Sequence, residues 1–423
     1  MKIVVLGAGV VGACSAWYLA RSGHQVVIVD RNSLPASEAS WGNAGLIAPS
    51  QVYSMASPRI WKMARESILT KTGPMKFKMP PDRSLLAWMM KFLPYCNEAS
   101  ASELTLKKLA LTNYSISKFD EIRSVTGIRF NDYVAGATNI QPSAAALNAA
   151  WEASSVLREQ GLDIERLDRD ALIYLEPCLK NMGKQQLYGG LRSSIDWIGD
   201  PALFARRLIE WLVENHGVKT VYGSEVTSLS AEGGIVKEVV VNNESIQGDA
   251  FVLALGAYST PLARSIGLNL PIYPVKGYSI TAPLTTELHG LNGAILDSSK
   301  RLAVTKIGDA VRVTFKAEFV GFDSSVDRSV FELPIGYLKG LFPDSIDYSK
   351  AIFWSGFRPM TPSGLPIVGR TKYENLFLNT GHGHLGWTMA PGTGSMISDV
   401  INGVEPSLPL RVLTEPTKSL LHH

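Results

Sequence analysis

The sequence has few cysteines, little net charge and no long uninterrupted apolar run. Its 423 residues include three cysteines, Cys14, Cys96 and Cys178, which are far apart and form no C-x-x-C pair. This usage favours a reducing compartment and excludes a cysteine-based structural metal site. The net charge of +3 is too small to indicate binding to nucleic acid. No uncharged apolar run reaches the roughly 18 residues that a membrane-spanning helix needs, so none is predicted.

The length and composition predict a globular protein with an ample core. Hydrophobic residues make up 46% of the chain and charged residues 19%. A chain of 423 residues exceeds the size at which one core stops growing. We therefore expect two domains.

The first 30 residues carry the pattern of a dinucleotide-binding unit. An apolar run over Lys2–Leu6 precedes a G-x-G-x-x-G turn at residues 7–12, and a helical stretch continues through Arg21. A second apolar run, Gln25–Val29, ends on Asp30. This order predicts a strand, a glycine turn, a helix and a strand ending in a carboxylate, which is the context that the glycine motif requires.

Each glycine of this turn has a separate physical role. Gly7 permits the tight turn, Gly9 lets the backbone approach a pyrophosphate, and Gly12 lets the helix pack closely on the strand. Free N–H groups at the helix start then face the phosphates. Asp30 would accept hydrogen bonds from a ribose and repel a 2′-phosphate, which favours FAD or NAD over NADP. The alternative is an ordinary βαβ unit with no ligand.

A second glycine turn lies near the end of the sequence. A predicted strand, Leu376–Thr380, precedes a second G-x-G-x-x-G at residues 381–386, and a helix extends to about Ile401. Only 37 residues, 387–423, follow Gly386, which leaves no room for a second βαβ unit. We therefore expect both ends of the chain to form one site, with the positive end of the last helix directed at the cofactor.

Further elements are predicted between these turns. Helix is expected from about residue 58 to 126, within 139–177, and over 201–215. Strands are expected over 236–241 and 248–255, and short β-branched runs between 273 and 322 indicate an antiparallel sheet.

Six segments of the chain resemble a known family over nearly its whole length. They are residues 5–12 (VLGAGVVG), 40–45 (SWGNAG), 253–259 (LALGAYS), 273–279 (YPVKGYS), 354–362 (WSGFRPMTP) and 379–387 (NTGHGHLGW). In this order they are similar to the D-amino-acid dehydrogenase small-subunit family, within the FAD-dependent amino-acid and amine oxidoreductases of the D-amino-acid oxidase group. One departure is the bulky Thr314-Phe315-Lys316, where small glycine-like residues are expected near the flavin. It bears on the substrate range more than on the cofactor.

The resemblance implies an α/β fold: a discontinuous Rossmann-like FAD-binding domain with an inserted, mostly antiparallel α+β substrate domain. The expected FAD-binding segments are 1–57, 187–270 and 352–423. The expected substrate-binding segments are 58–186, with a helical excursion, and 271–351.

The resemblance also implies the reaction. A hydride passes from the α-carbon of a D-amino or imino acid to the flavin, and hydrolysis then gives a 2-oxo acid and ammonia. Electrons pass to a quinone or similar acceptor, and the expected location is cytoplasmic, peripheral on the inner face of the membrane. Two alternatives stay open: an oxygen-reducing glycine, sarcosine or imino-acid oxidase of the same fold, and a non-catalytic flavoprotein subunit of a larger complex.

Four side chains are candidates for the reaction itself. Arg358 matches the family's carboxylate binder, since a planar guanidinium fits a carboxylate with two hydrogen bonds; an ion pair or a strand-end cap is the alternative. Tyr278 is a candidate hydroxyl donor to that carboxylate, or a packing residue. Tyr53 is a candidate lid, or simple packing. His382 is expected near the flavin, or as a helix cap, with no metal and no general base assigned.

The expected cofactor contacts come from both glycine turns and from the loops between them. They are Gly7, Gly9, Val10, Val11, Gly12, Asp30, Arg31, Ser40, Asn43, Ala44, Gly45, Val226, Gly256, Gly381, Gly383, His384, Leu385 and Gly386.

Residues 59–91 combine basic and aromatic side chains. The basic ones outnumber the acidic ones, Glu66 and Asp82, and are Arg59, Lys62, Arg65, Lys71, Lys76, Lys78, Arg83 and Lys91. Interleaved tryptophan, methionine and leucine residues make the segment typical of a membrane-surface contact. The alternative is a helical excursion with a solvated basic face.

Overall fold

The computed structural model describes residues 1–58, 60–61, 75–77, 82–286, 290–410 and 414–415. Its α-helices in these ranges are Val10–Arg21, Arg83–Phe92, Glu98–Thr126, Ala144–Ala153, Ser155–Arg158, Arg169–Leu175, Pro201–His216, Ser259–Arg264, Glu332–Leu341 and Gly386–Ile401. Its strands, numbered in chain order, are β1 Lys2–Leu6, β2 Gln25–Val29, β3 Leu46–Ile47, β4 Met75–Phe77, β5 Tyr133–Val134, β6 Ala137–Gln141, β7 Glu165–Asp168, β8 Gly189–Ser193, β9 Trp197–Ile198, β10 Lys219–Val221, β11 Val226–Glu232, β12 Ile235–Val241, β13 Glu244–Ile246, β14 Ala250–Leu253, β15 Tyr273–Pro283, β16 Ala294–Asp297, β17 Leu302–Ile307, β18 Ala310–Phe319, β19 Ile352–Met360, β20 Ile367–Arg370 and β21 Leu376–Thr380.

A six-stranded sheet is built from the apolar runs at both ends of the chain. Its order is β10-β2-β1-β14-β21-β20, and all pairs are parallel except β20 with β21. Ile3 lies beside Val26 on one neighbour and Ala250 on the other. Helices such as Val10–Arg21 cover one face of this sheet, and strands β11 and β12 with the helix Ser259–Arg264 cover the other, so its strands are apolar on both faces.

The helices Val10–Arg21 and Gly386–Ile401 pack side by side on this sheet. A Cβ at Gly394 would lie 2.8 Å from the Cys14 backbone, so only glycine allows this approach. Asn379 Nδ2 on β21 donates to Ser15 Oγ at 2.9 Å. Both glycine turns therefore open at the same edge of the sheet.

A larger, mostly antiparallel sheet forms the second layer. Its order is β19-β15-β18-β17-β16-β6-β8-β7, with β4 beside β18. The β6–β16 and β4–β18 pairs are parallel and the other pairs are antiparallel. Two three-stranded sheets, β11-β12-β13 and β3-β9-β5, complete the described sheet structure.

The predicted α/β architecture is confirmed, with local differences. The N-terminal strand–turn–helix–strand unit and the helix Pro201–His216 form as expected. Within the stretch predicted as helix from 58 to 126, strand β4 interrupts the described helices, because it pairs with the end of β18. Strands β8 and β19 fall in predicted FAD-binding segments yet pair in the larger sheet. The domain boundaries stay a prediction.

Gly12 provides a test of how tightly the first helix sits on its turn. A Cβ there would lie 1.8 Å from the Gly7 carbonyl oxygen. Gly12→Ala should therefore lower the free energy of unfolding by about 1–3 kcal/mol, as overpacking does. The control is Gly336→Ala, also within a helix but with open space around its Cβ position, which should stabilise by about 0.5–1 kcal/mol. Urea unfolding measures both, and equal effects would contradict the packing role of Gly12.

Candidate cofactor and substrate site

A cavity of about 770 Å³ lies where the carboxyl ends of β1, β2 and β14 meet the larger sheet. Both glycine turns line it, so the two ends of the chain do form one site. The predicted residues on its wall are Gly7, Gly9, Val10, Val11, Asp30, Arg31, Ser40, Asn43, Ala44, Val226, Gly256, Tyr278, Arg358, His382, Gly383, His384, Leu385 and Gly386.

Four predicted residues stand behind this wall. Gly12 packs the helix on its turn, and Gly45 and Gly381 adopt positive φ angles of 78° and 77° that shape the adjoining loops. Tyr53 is partly buried against the main hydrophobic core, and its role as a lid stays a prediction.

The N-terminal turn fits a pyrophosphate and a ribose. Gly7 has a φ of 110°, and a Cβ there would lie 2.6 Å from the Ala254 carbonyl oxygen. The Asp30 carboxylate accepts from the backbone N–H groups of Ala8 at 2.8 Å and Asn32 at 2.9 Å. These bonds fix the carboxylate at the mouth of the turn, where a ribose hydroxyl would reach it.

Arg31 was predicted to contact the cofactor, but its two partners were not predicted. The Arg31 guanidinium lies 3.8 Å from the Tyr258 ring centroid and pairs with Glu38 at 2.5 Å. Both partners line the cavity, although neither was predicted from the sequence to be a site residue. Glu38 carried a signal, because it lies in the polar loop that directly follows Asp30 and Arg31.

The loop at residues 43–45 is held from behind by side chains of the larger sheet. Thr305 Oγ1 donates to the Ala44 carbonyl at 2.8 Å, and Arg312 Nη1 donates to the Asn43 carbonyl at 3.0 Å. Asn43 Oδ1 accepts from the Gly45 N–H at 2.8 Å. The loop therefore presents a fixed backbone edge to the cavity.

Trp354 lines the cavity, although the sequence did not predict it as a site residue. Its indole fits between two glycines, because a Cβ at Gly42 would lie 2.0 Å from the ring and one at Gly356 would lie 2.3 Å away. Gly356 is two residues along the same strand, so it shares the face of Trp354. This two-residue spacing was the feature of the sequence that could have indicated the position of Trp354.

Arg358 enters the cavity without an acidic partner. It lies on β19 opposite Val275 of β15, and its guanidinium occupies the space that a Cβ at Gly277 would need, with Nη1 2.1 Å away. Nη1 donates to the Lys316 carbonyl at 3.1 Å, and no carboxylate in the described ranges pairs with it. Burial lowers the pKa of Arg358 to about 10, so the group stays cationic at neutral pH.

Tyr278 also reaches the cavity, but its hydroxyl already has a partner. It donates to Glu318 Oε2 at 2.6 Å, while Lys316 Nζ lies 2.9 Å from Glu318 Oε1. A β-bulge between β15 and β18 permits this, because Lys276 faces Glu318 whereas Tyr278 faces Phe315. The hydroxyl can accept a hydrogen bond, and its predicted donation to a carboxylate stays a prediction.

Two histidines of the C-terminal turn line the cavity as neutral side chains. His382 is buried, and its Nε2 lies 2.9 Å from Thr393 Oγ1; burial lowers its pKa to about 3. His384 is exposed where it opens on the cavity. Desolvation by the surrounding protein, together with the nearby charges of Lys108 and Arg358, lowers the pKa of His384 to about 3.

The basic segment is described only in part. Arg59, Lys62, Arg65, Lys71 and Lys78 lie outside the described residues, and Lys76 lies in β4. In the helix Arg83–Phe92, one face is buried and carries Leu85, Trp88 and Phe92. No helix in the described ranges is long and apolar enough to cross a membrane.

The residues present fit a dinucleotide with a flavin. The helices Val10–Arg21 and Gly386–Ile401 both begin at the cavity, and neither is capped by the side chain of its own N-cap residue, although the Val10 N–H donates to Ser40 Oγ at 3.2 Å. Helix starts of this kind bind anionic groups well. A carboxylate such as Asp30 would suit a ribose, and a positive helix end would suit an electron-rich part of a flavin.

A family model for FAD dependent oxidoreductases (DAO) matches residues 2–400. The chain belongs to this family. Its predicted cofactor, FAD, is the cofactor of the family. The chain is 38% identical to D-amino acid dehydrogenase 2 of Mesorhizobium japonicum over 96% of its own length and 98% of the relative. A D-amino acid dehydrogenase of Rhizorhabdus wittichii is also 38% identical, with the same coverage.

Solved structures of this family share the fold. Glycine oxidase from Geobacillus kaustophilus superposes with a TM-score of 0.75 over 98% of both chains, at 19% identity. At that identity the likeness establishes the architecture alone. It agrees with the mostly parallel sheet and the larger antiparallel sheet described above.

Asp30 should contribute measurably to FAD binding. Asp30→Ala removes a ribose acceptor and should weaken FAD affinity by about 1–3 kcal/mol, or roughly 5- to 150-fold. Titration of the stripped protein with FAD measures the change. Asp249→Ala is the control, because Asp249 also accepts a backbone N–H, that of Lys2, at the opposite end of the sheet. Unchanged affinity in Asp30→Ala would remove Asp30 from the site.

Proposed function

We propose that this protein is an FAD-dependent D-amino-acid dehydrogenase. The observation that carries the proposal is the Arg358 guanidinium on the cavity wall, which pairs with no carboxylate among the described residues. A largely desolvated cation without an acidic partner is stabilised by an anionic ligand. The curated relatives named above are D-amino acid dehydrogenases, and the α-carboxylate of an amino acid is the matching anion.

In this proposal, Arg358 orients the substrate. Two parallel guanidinium bonds fix the carboxylate and with it the α-carbon. Gly277 leaves the space that the guanidinium occupies, and the Lys316 carbonyl holds one of its nitrogens. The remaining donors of Arg358 are then available to the substrate.

FAD, when bound, accepts the hydride from the α-carbon. Position and electrostatics are the protein's part. His382 and His384 are neutral, so they add no charge that would oppose hydride loss from the amine. No general base is assigned, because an amine that arrives deprotonated can expel the hydride unaided. The imino acid then hydrolyses to a 2-oxo acid and ammonia.

The electron acceptor in this proposal is a quinone or a similar compound, and the protein meets the inner membrane surface from the cytoplasmic side. The support is the basic and aromatic segment over residues 59–91. The competing function is an oxygen-reducing oxidase, with which the shared fold of glycine oxidase is consistent. A non-catalytic flavoprotein subunit would bind FAD without being reduced by amino acids.

Replacement of Arg358 tests the substrate class. Arg358→Ala leaves the carboxylate desolvated and unpaired, at a cost of about 2–5 kcal/mol, so kcat/KM should fall about 30- to several-thousand-fold. Arg358→Lys should recover only part, because an ammonium cannot form the two-pronged contact. Anaerobic flavin bleaching by both enantiomers of several amino acids measures this. Equal rates in wild type and Arg358→Ala would place the carboxylate elsewhere, and faster bleaching by L-enantiomers would overturn the D assignment.

The electron acceptor is tested by comparing turnover under air and without it. Activity should be higher with a quinone or an artificial dye than with oxygen, and peroxide should account for a minor part of turnover. Part of the protein should sediment with anionic phosphatidylglycerol vesicles, less so with phosphatidylcholine or at high salt, because surface charge attraction is screened. Stoichiometric peroxide without vesicle binding would favour the oxidase.

A further inference from the structure

A second, shallower cavity of about 640 Å³ lies beside the cofactor cavity. It runs between the helix Arg83–Phe92 and residues 269–274, and we refer to it as the side groove. Its wall includes three aromatic side chains, Trp88, Tyr273 and Phe322. Trp88 and Tyr273 are buried, whereas Phe322 is 43% exposed. A planar aromatic ligand would find ring surfaces here to pack against.

The wall between the side groove and the cofactor cavity is one side chain thick. Pro261 lines both spaces. The Phe322 ring stacks on Tyr258 at 5.2 Å and meets Phe357 edge-on at 5.4 Å, and both of these rings line the cofactor cavity. A molecule in the groove would therefore be separated from the cofactor cavity by this layer of side chains.

A second connection joins the two spaces through the backbone. Trp88 Nε1 donates to the Met360 carbonyl at 2.8 Å. Met360 in turn pairs with His382 through an isolated β-bridge, and His382 lines the cofactor cavity. The aromatic side of the groove is thus fixed relative to the C-terminal glycine turn.

The helix that forms one side of the groove exposes an apolar row on its outer face. Leu86, Met90 and Leu93 are 49%, 74% and 38% exposed, and their spacing of four and three residues places them on one face. A row of this kind next to lysine and arginine suits the boundary of a lipid surface. A ligand that enters beside this helix would come from the membrane.

We propose that the side groove binds the ring of a lipid-soluble quinone, the electron acceptor of the reaction. The inference rests on the proposed dehydrogenase function. The CH–NH2 group of the substrate loses two electrons and two protons to become C=NH. The same two electrons and two protons convert the two quinone carbonyls into hydroxyls, so no further oxidant is needed.

The charges of the groove suit this occupant. Arg83, Lys91 and Arg264 are its cations, and Asp82 is the one carboxylate among its described lining residues. Asp82 is occupied, since it accepts from the Tyr273 hydroxyl at 3.1 Å and caps the helix start. The surplus of positive charge would stabilise the anionic forms through which a quinone is reduced.

Photolabelling of the holoenzyme tests the site without depending on turnover. A short-chain azido-quinone should, on illumination, label peptides that carry residues 83–91 or 269–274. An excess of the unlabelled quinone should abolish the labelling. Labelling confined to peptides of the cofactor cavity, or spread over the surface, would overturn the proposal.

A steric variant tests whether the groove serves electron transfer. Ala87 is exposed and lines the groove, so Ala87→Trp should fill it while leaving the cofactor cavity intact. Reoxidation of the photoreduced flavin by a water-soluble quinone should slow about 10-fold or more, the scale of a steric mismatch in a fitted pocket. Met90→Trp is the control, because Met90 lies on the same helix outside the groove lining. Equal reoxidation in wild type and both variants would overturn the proposal.

A failure of the groove to bind a quinone can be distinguished from a failure of the proposed function. Photoreduction loads the electrons without an amino acid, so a wrong substrate assignment leaves the reoxidation experiment unaffected. Bleaching of the flavin by D-amino acids should be the same in wild type and Ala87→Trp. Flavin content verifies that each variant is folded, and the labelling result stands on the wild-type protein alone.

Discussion

The close packing of the helices Val10–Arg21 and Gly386–Ile401 is the constraint on which the site depends. Gly394 against the Cys14 backbone brings the two helices together, and the Asn379–Ser15 hydrogen bond ties the last strand to the first helix. Because each helix follows a glycine turn, this packing places two helix starts at one cavity, neither of them capped by its own N-cap side chain. A single dinucleotide can then use the N–H groups of both turns. The larger sheet, whose strands lie between the two ends of the chain in the sequence, supplies the wall of the cavity that carries Arg358.

The electrostatics of that wall are simple. Arg358 is its cation without an acidic partner in the described ranges. The neighbouring histidines are neutral, because desolvation and, for His384, the nearby cations Lys108 and Arg358 lower their pKa values. Glu318, the nearby carboxylate, is occupied by Lys316 and by the Tyr278 hydroxyl. An anionic group entering the cavity therefore meets one compensating charge in a fixed position. Under the proposed function, this arrangement would distinguish an amino acid from an amine without a carboxylate.

Local patterns were predictable from the sequence, whereas contacts between distant segments were not. Spacing alone located the glycine turns and Asp30, because a strand, a turn and a helix impose a fixed geometry on residues 2–30. Glu318 could not be found in this way: its contact with Tyr278 depends on a β-bulge at Lys316, a non-glycine residue with a φ of 59°. Glu38 and Trp354 carried local signals in the sequence, but their contacts in the site join separate segments of the chain.

The bulky segment Thr314-Phe315-Lys316 shows how such a bulge limits the effect of large side chains. Thr314 lines the cavity, while Phe315 is buried on the other face of the strand against Tyr278 and Phe331. Lys316 contributes its backbone carbonyl to Arg358 and its ammonium to Glu318. Only the threonine therefore takes room from a ligand. Trp354, which fits between two glycines, is a bulky side chain on the cavity wall, so under the proposed function it would limit the side-chain space of the substrate more than this segment does.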